Sequence, residues 1–167
     1  KEMQTLRPDR YLGHLLRRLV KADISVISMH TNLDIAPGGV NDALAEALRI
    51  EDPGPLPGDE ERLCRVGRLQ NAVKLSNFAA AVCKALRANG VRFSGNRPVQ
   101  YVAIGGGACG DYIDAVIAAG CDTFVTSDLT YHQFLDAVPK GINLIDAGHF
   151  PTEDPVCAKL VTYLEKE

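Results

Sequence analysis

Three strand-like apolar runs in the second half of the chain each lead directly into a helix-like stretch, and this alternation restricts the fold more than any other feature. "VQYVAI" (99–104) runs through a glycine loop into a helical segment over 112–119. "DTFVTS" (122–127) precedes a helix over 131–138, and "INLID" (142–146) precedes a final helix over 154–167. Strands that alternate with helices of this length predict an α/β fold, a layered, mixed and largely parallel sheet with helices on its faces.

The first half reads less regularly. An amphipathic helix is expected over 9–22, a buried strand at "ISVISM" (24–29), a turn at "HTNLDIAPGG" and a helix over 40–50. "RLCRVGRL" is a strand candidate. Ser76 is expected to cap a helix that runs to Ala88 and stops at Asn89-Gly90, with "VRF" following it. With 167 residues the chain has the length of one domain. The proline- and glycine-rich "EDPGPLPGDE" (51–60) reads either as a linker between lobes 1–50 and 61–167 or as a long surface loop.

A net charge of −3 gives no electrostatic footprint for nucleic acid. The one dense basic group, Arg7, Arg10, Arg17, Arg18 and Lys21, falls at helical spacing among leucines and reads as a solvated helix face. The five cysteines are odd in number and include no CxxC pair, which argues against a zinc knuckle and suits a reducing cytoplasm. No apolar stretch is long enough to span a bilayer, and no signal peptide is apparent.

Chemistry-bearing residues cluster where strands end. "ISVISM" leads into His30 and Asp34; "DTFVTS" into Asp128 and His132; "INLID" into Asp146, His149 and Glu153. Ligands in parallel α/β sheets gather beyond the carboxyl ends of the strands. Imidazoles and carboxylates together suit Zn, Mn, Fe or Ni, and converging carboxylates repel unless a cation or proton lies among them. Local structure accounts for the same residues differently. Glu153 suits the first turn of a helix with Pro151 at its first position, and Asp34 suits an Asx turn before Pro37-Gly38-Gly39. On spacing alone both readings stand.

The glycine loop adds a rival. Gly105, Gly107 and Gly110 follow a strand as GxGxxG, and Asp128 ends the next strand, as in a dinucleotide-binding unit. Against this, the intervening helix is short and no second mononucleotide-binding half follows. The loop also suits a phosphate, or close packing of helix on sheet without a nicotinamide or flavin cofactor.

Taken together, "SMHTNLDIAPGGVNDALAEAL", "AIGGGACGDYIDAVIAAGCDTFVTSDLTYHQFLDA" and "LIDAGHFPTE" resemble the Nif-3-like dinuclear-metal proteins, the GTP cyclohydrolase type 2 homologues, over nearly all of residues 1–167. The resemblance implies a Nif-3-like α/β fold, a toroidal homohexamer, two divalent ions per intact subunit and metal-dependent hydrolysis of a small molecule or nucleotide. A metal-binding regulator or interaction scaffold without turnover is the other class it leaves open. It carries metal-ligand roles to Asp34, His149 and Glu153, and positions near the site, behind the ligands or facing substrate, to His30, His132 and Asp128. The family's His-His-Pro stretch upstream of "HTNLD" has no counterpart here. The chain therefore reads as an N-terminally truncated member lacking the first strands, expected to hold at most one metal ion.

Overall fold

The computed structural model describes residues 6–28 and 30–166, and divides between residues 30 and 31 into two compact units. The first unit contains α1 (Tyr11–Lys21), whose Arg18 and Lys21 lie in its last turn, the favourable end for cations. Residues 24–28, expected as a buried strand, form no ladder among the described residues, and Ile24, Val26 and Ile27 are exposed. Met29 of that run lies outside the described residues. A β-prone apolar run becomes a strand only when a neighbour takes up its N–H and C=O groups.

The second unit is built on a six-stranded sheet, β1 (Glu51–Pro55), β2 (Arg65–Val73), β3 (Arg92–Ser94), β4 (Val99–Ile104), β5 (Thr123–Thr126) and β6 (Asn143–Asp146), in the order β1-β2-β4-β5-β6-β3. β4, β5 and β6 pair in parallel at its centre, while β1, β2 and β3 join antiparallel. The fold is thus layered α/β with a mixed sheet, its parallel part confined to three strands. The segment 51–60, read from sequence as a linker or loop, opens with β1, an edge strand. An edge tolerates Pro53 and Pro55 because only one side of the strand needs ladder donors.

The helices are α2 (Thr31–Ile35), α3 (Val40–Ala47), α4 (Leu75–Ala85), α5 (Ile113–Ala118), α6 (Tyr131–Lys140), α7 (His149–Glu153) and α8 (Pro155–Leu164). The core follows the two-residue period of the strands. Val102, Ile104, Val125 and Ile145 face one layer with Leu44, Phe78 and Val82 of α3 and α4. Ala103, Phe124 and Leu144 face the other with Ile113, Val116 and Ala137 of α5 and α6. Fully burying side chains such as Phe124, Leu144 and Ile145 stabilises by about 1.5–3 kcal/mol each, which holds the strand ends in place.

Local chemistry sets the helix ends, and in two places it differs from the sequence expectation. α6 begins with a capping box in which Thr130 and Gln133 satisfy each other's backbone N–H, and it ends at Gly141 with φ +69°. Ser76 lies inside α4 rather than capping it; Lys74 is the cap residue and makes no side-chain cap bond. The last helix, expected over 154–167, is α8, opened by Pro155, and a separate one-turn helix, α7, precedes it. Glu153 therefore closes a one-turn helix instead of starting a long one, so the helix dipole does not explain it.

Candidate functional site

β5 and β6 run side by side, and the residues just beyond them meet. β6 ends at Asp146, and Gly148, with φ +85°, turns the chain into α7. A left-handed backbone at this point favours glycine. Asp146 is itself committed to holding the turn. Its carboxylate accepts from Leu129 N at 3.1 Å and Gly148 N at 3.0 Å, and pairs with the Arg92 guanidinium of β3.

His149 opens α7 and Glu153 closes it. One helical turn apart, they share a face, with Nε2 of His149 at 3.2 Å from Oε1 of Glu153. The other ring nitrogen, Nδ1, lies 2.5 Å from Oδ2 of Asp128, the residue just past β5. Asp128 adopts φ +56°, a conformation that aspartate tolerates better than most side chains, and Ser127 Oγ donates to its carboxylate at 3.1 Å. The Asp128 hydrogen bond raises the His149 pKa above its ordinary range, opposed by desolvation and helped by the Glu153 charge. The same bond lowers the Asp128 pKa.

The glycine loop forms the floor beneath this pair. A Cβ on Gly107 would lie 2.7 Å from Glu153 Oε1 and 3.2 Å from His149 Nε2, so only a residue without a side chain leaves room for both. Gly107 also adopts φ +70°. Its N–H donates to Thr152 Oγ1 at 3.0 Å, and its carbonyl accepts from Ser127 N and Thr126 Oγ1 at 3.0 and 2.9 Å. The N–H of Gly106 donates to Asn41 Oδ1 at 2.8 Å, and Asn41 Nδ2 in turn donates to the main-chain oxygen of Asp34 at 3.1 Å. Asn41 and Thr152 are fully buried. Through them, one hydrogen-bonded network ties α2, the glycine loop and α7 together.

Neither Asn41 nor Thr152 was singled out from the sequence. The only local signal for Thr152 is its place between two residues of "HFPTE", and Asn41 sits unmarked in the first turn of α3. Asp34 lies on α2 rather than after a strand, because residues 24–28 form none. It acts electrostatically on Cys109 in the glycine loop. His132 is exposed in the first turn of α6, its ring edge-on to Tyr131 at 5.6 Å. His30 is exposed and belongs to the first unit.

Among the described residues, no three His, Cys, Asp or Glu side chains stand together as a group able to hold a metal ion. The donor chemistry around His149 nevertheless fits one. A carboxylate on Nδ1 favours the neutral tautomer with its proton on that nitrogen, whose lone pair is then on Nε2, beside Glu153.

The family model described as Duf34/NIF3 (NGG1p interacting factor 3) matches residues 1–167. A GTP cyclohydrolase 1 type 2 homolog from Nostoc sp. is 32% identical over 167 residues, covering 96% of this chain and 64% of that protein. One from Streptomyces coelicolor is 37% identical over 164 residues, covering 92% and 58%. The chain thus spans less than two thirds of the length of these relatives. Among solved structures, a Staphylococcus aureus hypothetical protein superposes with a TM-score of 0.82 at 28% identity, over 99% of this chain and 68% of that one. Reduced HcgD from Methanocaldococcus jannaschii gives 0.83 at 28%, over 100% and 66%. No helix among the described residues is long and apolar enough to cross a membrane.

Proposed function

We propose a divalent-metal function for this chain, which belongs to the Duf34/NIF3 (NGG1p interacting factor 3) family. His149 and Glu153, which stand together, and Asp34, added by family likeness, are the protein donors, and metal-dependent hydrolysis is the activity. The observation that carries this reading is the His149 ring, held by Asp128 at Nδ1 and turned with Nε2 toward Glu153. A carboxylate on the far nitrogen of a ligating histidine is the usual outer-shell partner: it fixes the ring and raises ligand basicity.

A divalent ion bound there supplies Lewis acidity and lowers the pKa of a bound water toward neutrality. The remaining work falls to the protein. Gly107 keeps the space between His149 and Glu153 open, and Thr152 and Asn41 hold the loop that contains it. Asp128 orients the imidazole and keeps its proton on Nδ1. Three donors do not complete the shells of two ions, so we expect no more than one ion per chain.

The glycine loop supports this reading over a dinucleotide site. A pyrophosphate needs free backbone N–H groups at the loop, and those of Gly106 and Gly107 are taken by Asn41 and Thr152. GTP and related phosphoesters are the substrates to try first, because relatives carry the name GTP cyclohydrolase 1 type 2 homolog. Assembly into a homo-oligomer, a hexamer by family likeness, belongs to the same proposal and is checked by light scattering.

Calorimetric titration with Zn and Mn tests the donor set. Wild type should bind one equivalent, and Asp34→Asn, His149→Ala and Glu153→Gln should each weaken binding at least about tenfold. Unchanged affinity in all three variants would remove these residues from the site. Turnover of GTP or a phosphoester that disappears with a chelator separates hydrolysis from a purely metal-binding or scaffolding role.

A further inference from the structure

Cys64 immediately precedes β2, one residue beyond the point where Arg65 pairs with Ile104, so it stands opposite Gly105 as the antiparallel ladder runs out. Cys109 lies in the glycine loop, its thiol donating to Gly106 O at 3.4 Å. A Cβ built on Gly105 would lie 2.8 Å from Cys109 Sγ and 3.0 Å from Cys64 Sγ. The two sulfurs therefore approach each other over the one residue without a side chain. Both are free thiols, buried at 0% and 5% exposure. Neither serves in the proposed metal chemistry.

We propose that Cys64 and Cys109 are a redox-modification site, a thiol pair that closes to a reversible disulfide when oxidised by a hydroperoxide. Closure requires the sulfurs to reach about 2.05 Å. Cys109, the more exposed thiol, reacts first. Its thiolate attacks one peroxide oxygen; an S–O bond forms, the O–O bond breaks, and the leaving oxygen takes up a proton as water. Cys64 sulfur then displaces the hydroxyl of the Cys109 sulfenic acid. The S–S bond forms, the S–O bond breaks, and the Cys64 proton leaves with the hydroxyl as a second water. Two thiols and one hydrogen peroxide thus give one disulfide and two waters, the sulfurs losing the two electrons that the peroxide gains. The bridge ties the start of β2 to the loop containing Gly106 and Gly107, so oxidation stiffens the floor of the candidate site.

Peptide mapping of the folded protein after hydrogen peroxide, without reductant, tests this. The expected product is an intramolecular link between the peptides of Cys64 and Cys109, lost again on treatment with dithiothreitol. In Cys64→Ser, the sulfenic acid on Cys109 should persist and be trapped by dimedone. Cys157→Ser, which removes an exposed thiol elsewhere, should leave the link intact. A wild-type map in which Cys157 is oxidised while Cys64 and Cys109 remain thiols, or pair with other cysteines, overturns the proposal. That map decides the matter even if Cys64→Ser does not fold, and it is independent of the metal titration.

Discussion

Asp128 Oδ2 and His149 Nδ1 lie 2.5 Å apart, joining the second residue beyond β5 to the residue that opens α7. Both side chains are about half exposed, so solvent screens the pair and its net worth is at most about 1 kcal/mol. Its consequence lies in protonation. In NMR titration, His149 should titrate above its ordinary 6.5, and Asp128→Asn should bring it back down. A His149 titration that Asp128→Asn leaves in place would show that the bond does not form in solution.

The pair also contributes to stability with a defined pH window. His149 has a raised folded pKa, so its contribution is complete below 6.5 and is lost as pH rises through the folded value. Asp128 has a lowered one, so its contribution is complete above 3.8 and is lost as pH falls through its folded value. Both are present together between those two ordinary values. Denaturant midpoints for wild type and Asp128→Asn should differ most in that window and converge as pH rises through the folded value of His149.

Metal affinity should respond in the opposite sense. A coordinating His149 must lose its Nε2 proton, so binding weakens as pH falls, and the raised pKa moves the onset above 6.5. Titrating Zn at several pH values should place the midpoint of that loss above 6.5 in wild type and lower in Asp128→Asn. Affinity that stays flat through this range would argue against His149 as a ligand.

Gly107→Ala should fail twice over. The new Cβ would lie 2.7 Å from Glu153 Oε1, and the backbone holds φ +70°, a conformation that costs a residue with a Cβ about 1–2 kcal/mol. Thermal unfolding should register that loss, and calorimetry should show metal binding reduced with it. A variant as stable as wild type and equally able to bind metal would mean that the loop relaxes away from α7.

Thr152→Val keeps the volume but leaves the buried N–H of Gly107 without its acceptor. The expected loss is about 1–3 kcal/mol in chemical unfolding. Hydrogen exchange at Gly107 N should accelerate by more than the global change, since its partner alone has been removed.

The short apolar runs at 99–104, 122–127 and 142–146 determined β4, β5 and β6, because a near-continuous apolar run of this length suits a strand covered on both faces, as β5 and β6 are. The same runs placed the charged residues beyond the strand ends. The three long motifs were legible as a family likeness because they occupy consecutive, ungapped stretches. What tertiary structure decided was which residues became partners. Asp128 and His132 both follow β5 in sequence, yet Asp128 is the one that reaches His149, because parallel pairing of Thr126 with Asp146 sets the two strand ends side by side. Asn41 and Thr152 gained their roles from bonds to residues 65 and 45 positions away. Local patterns misled where they met no partner or a different one. "ISVIS" has strand composition and no ladder, and "EDPGP" has loop composition and forms an edge strand against β2. An apolar period reports which face of an element seeks burial, whereas a hydrogen-bond partner across a sheet depends on register, which belongs to the fold as a whole.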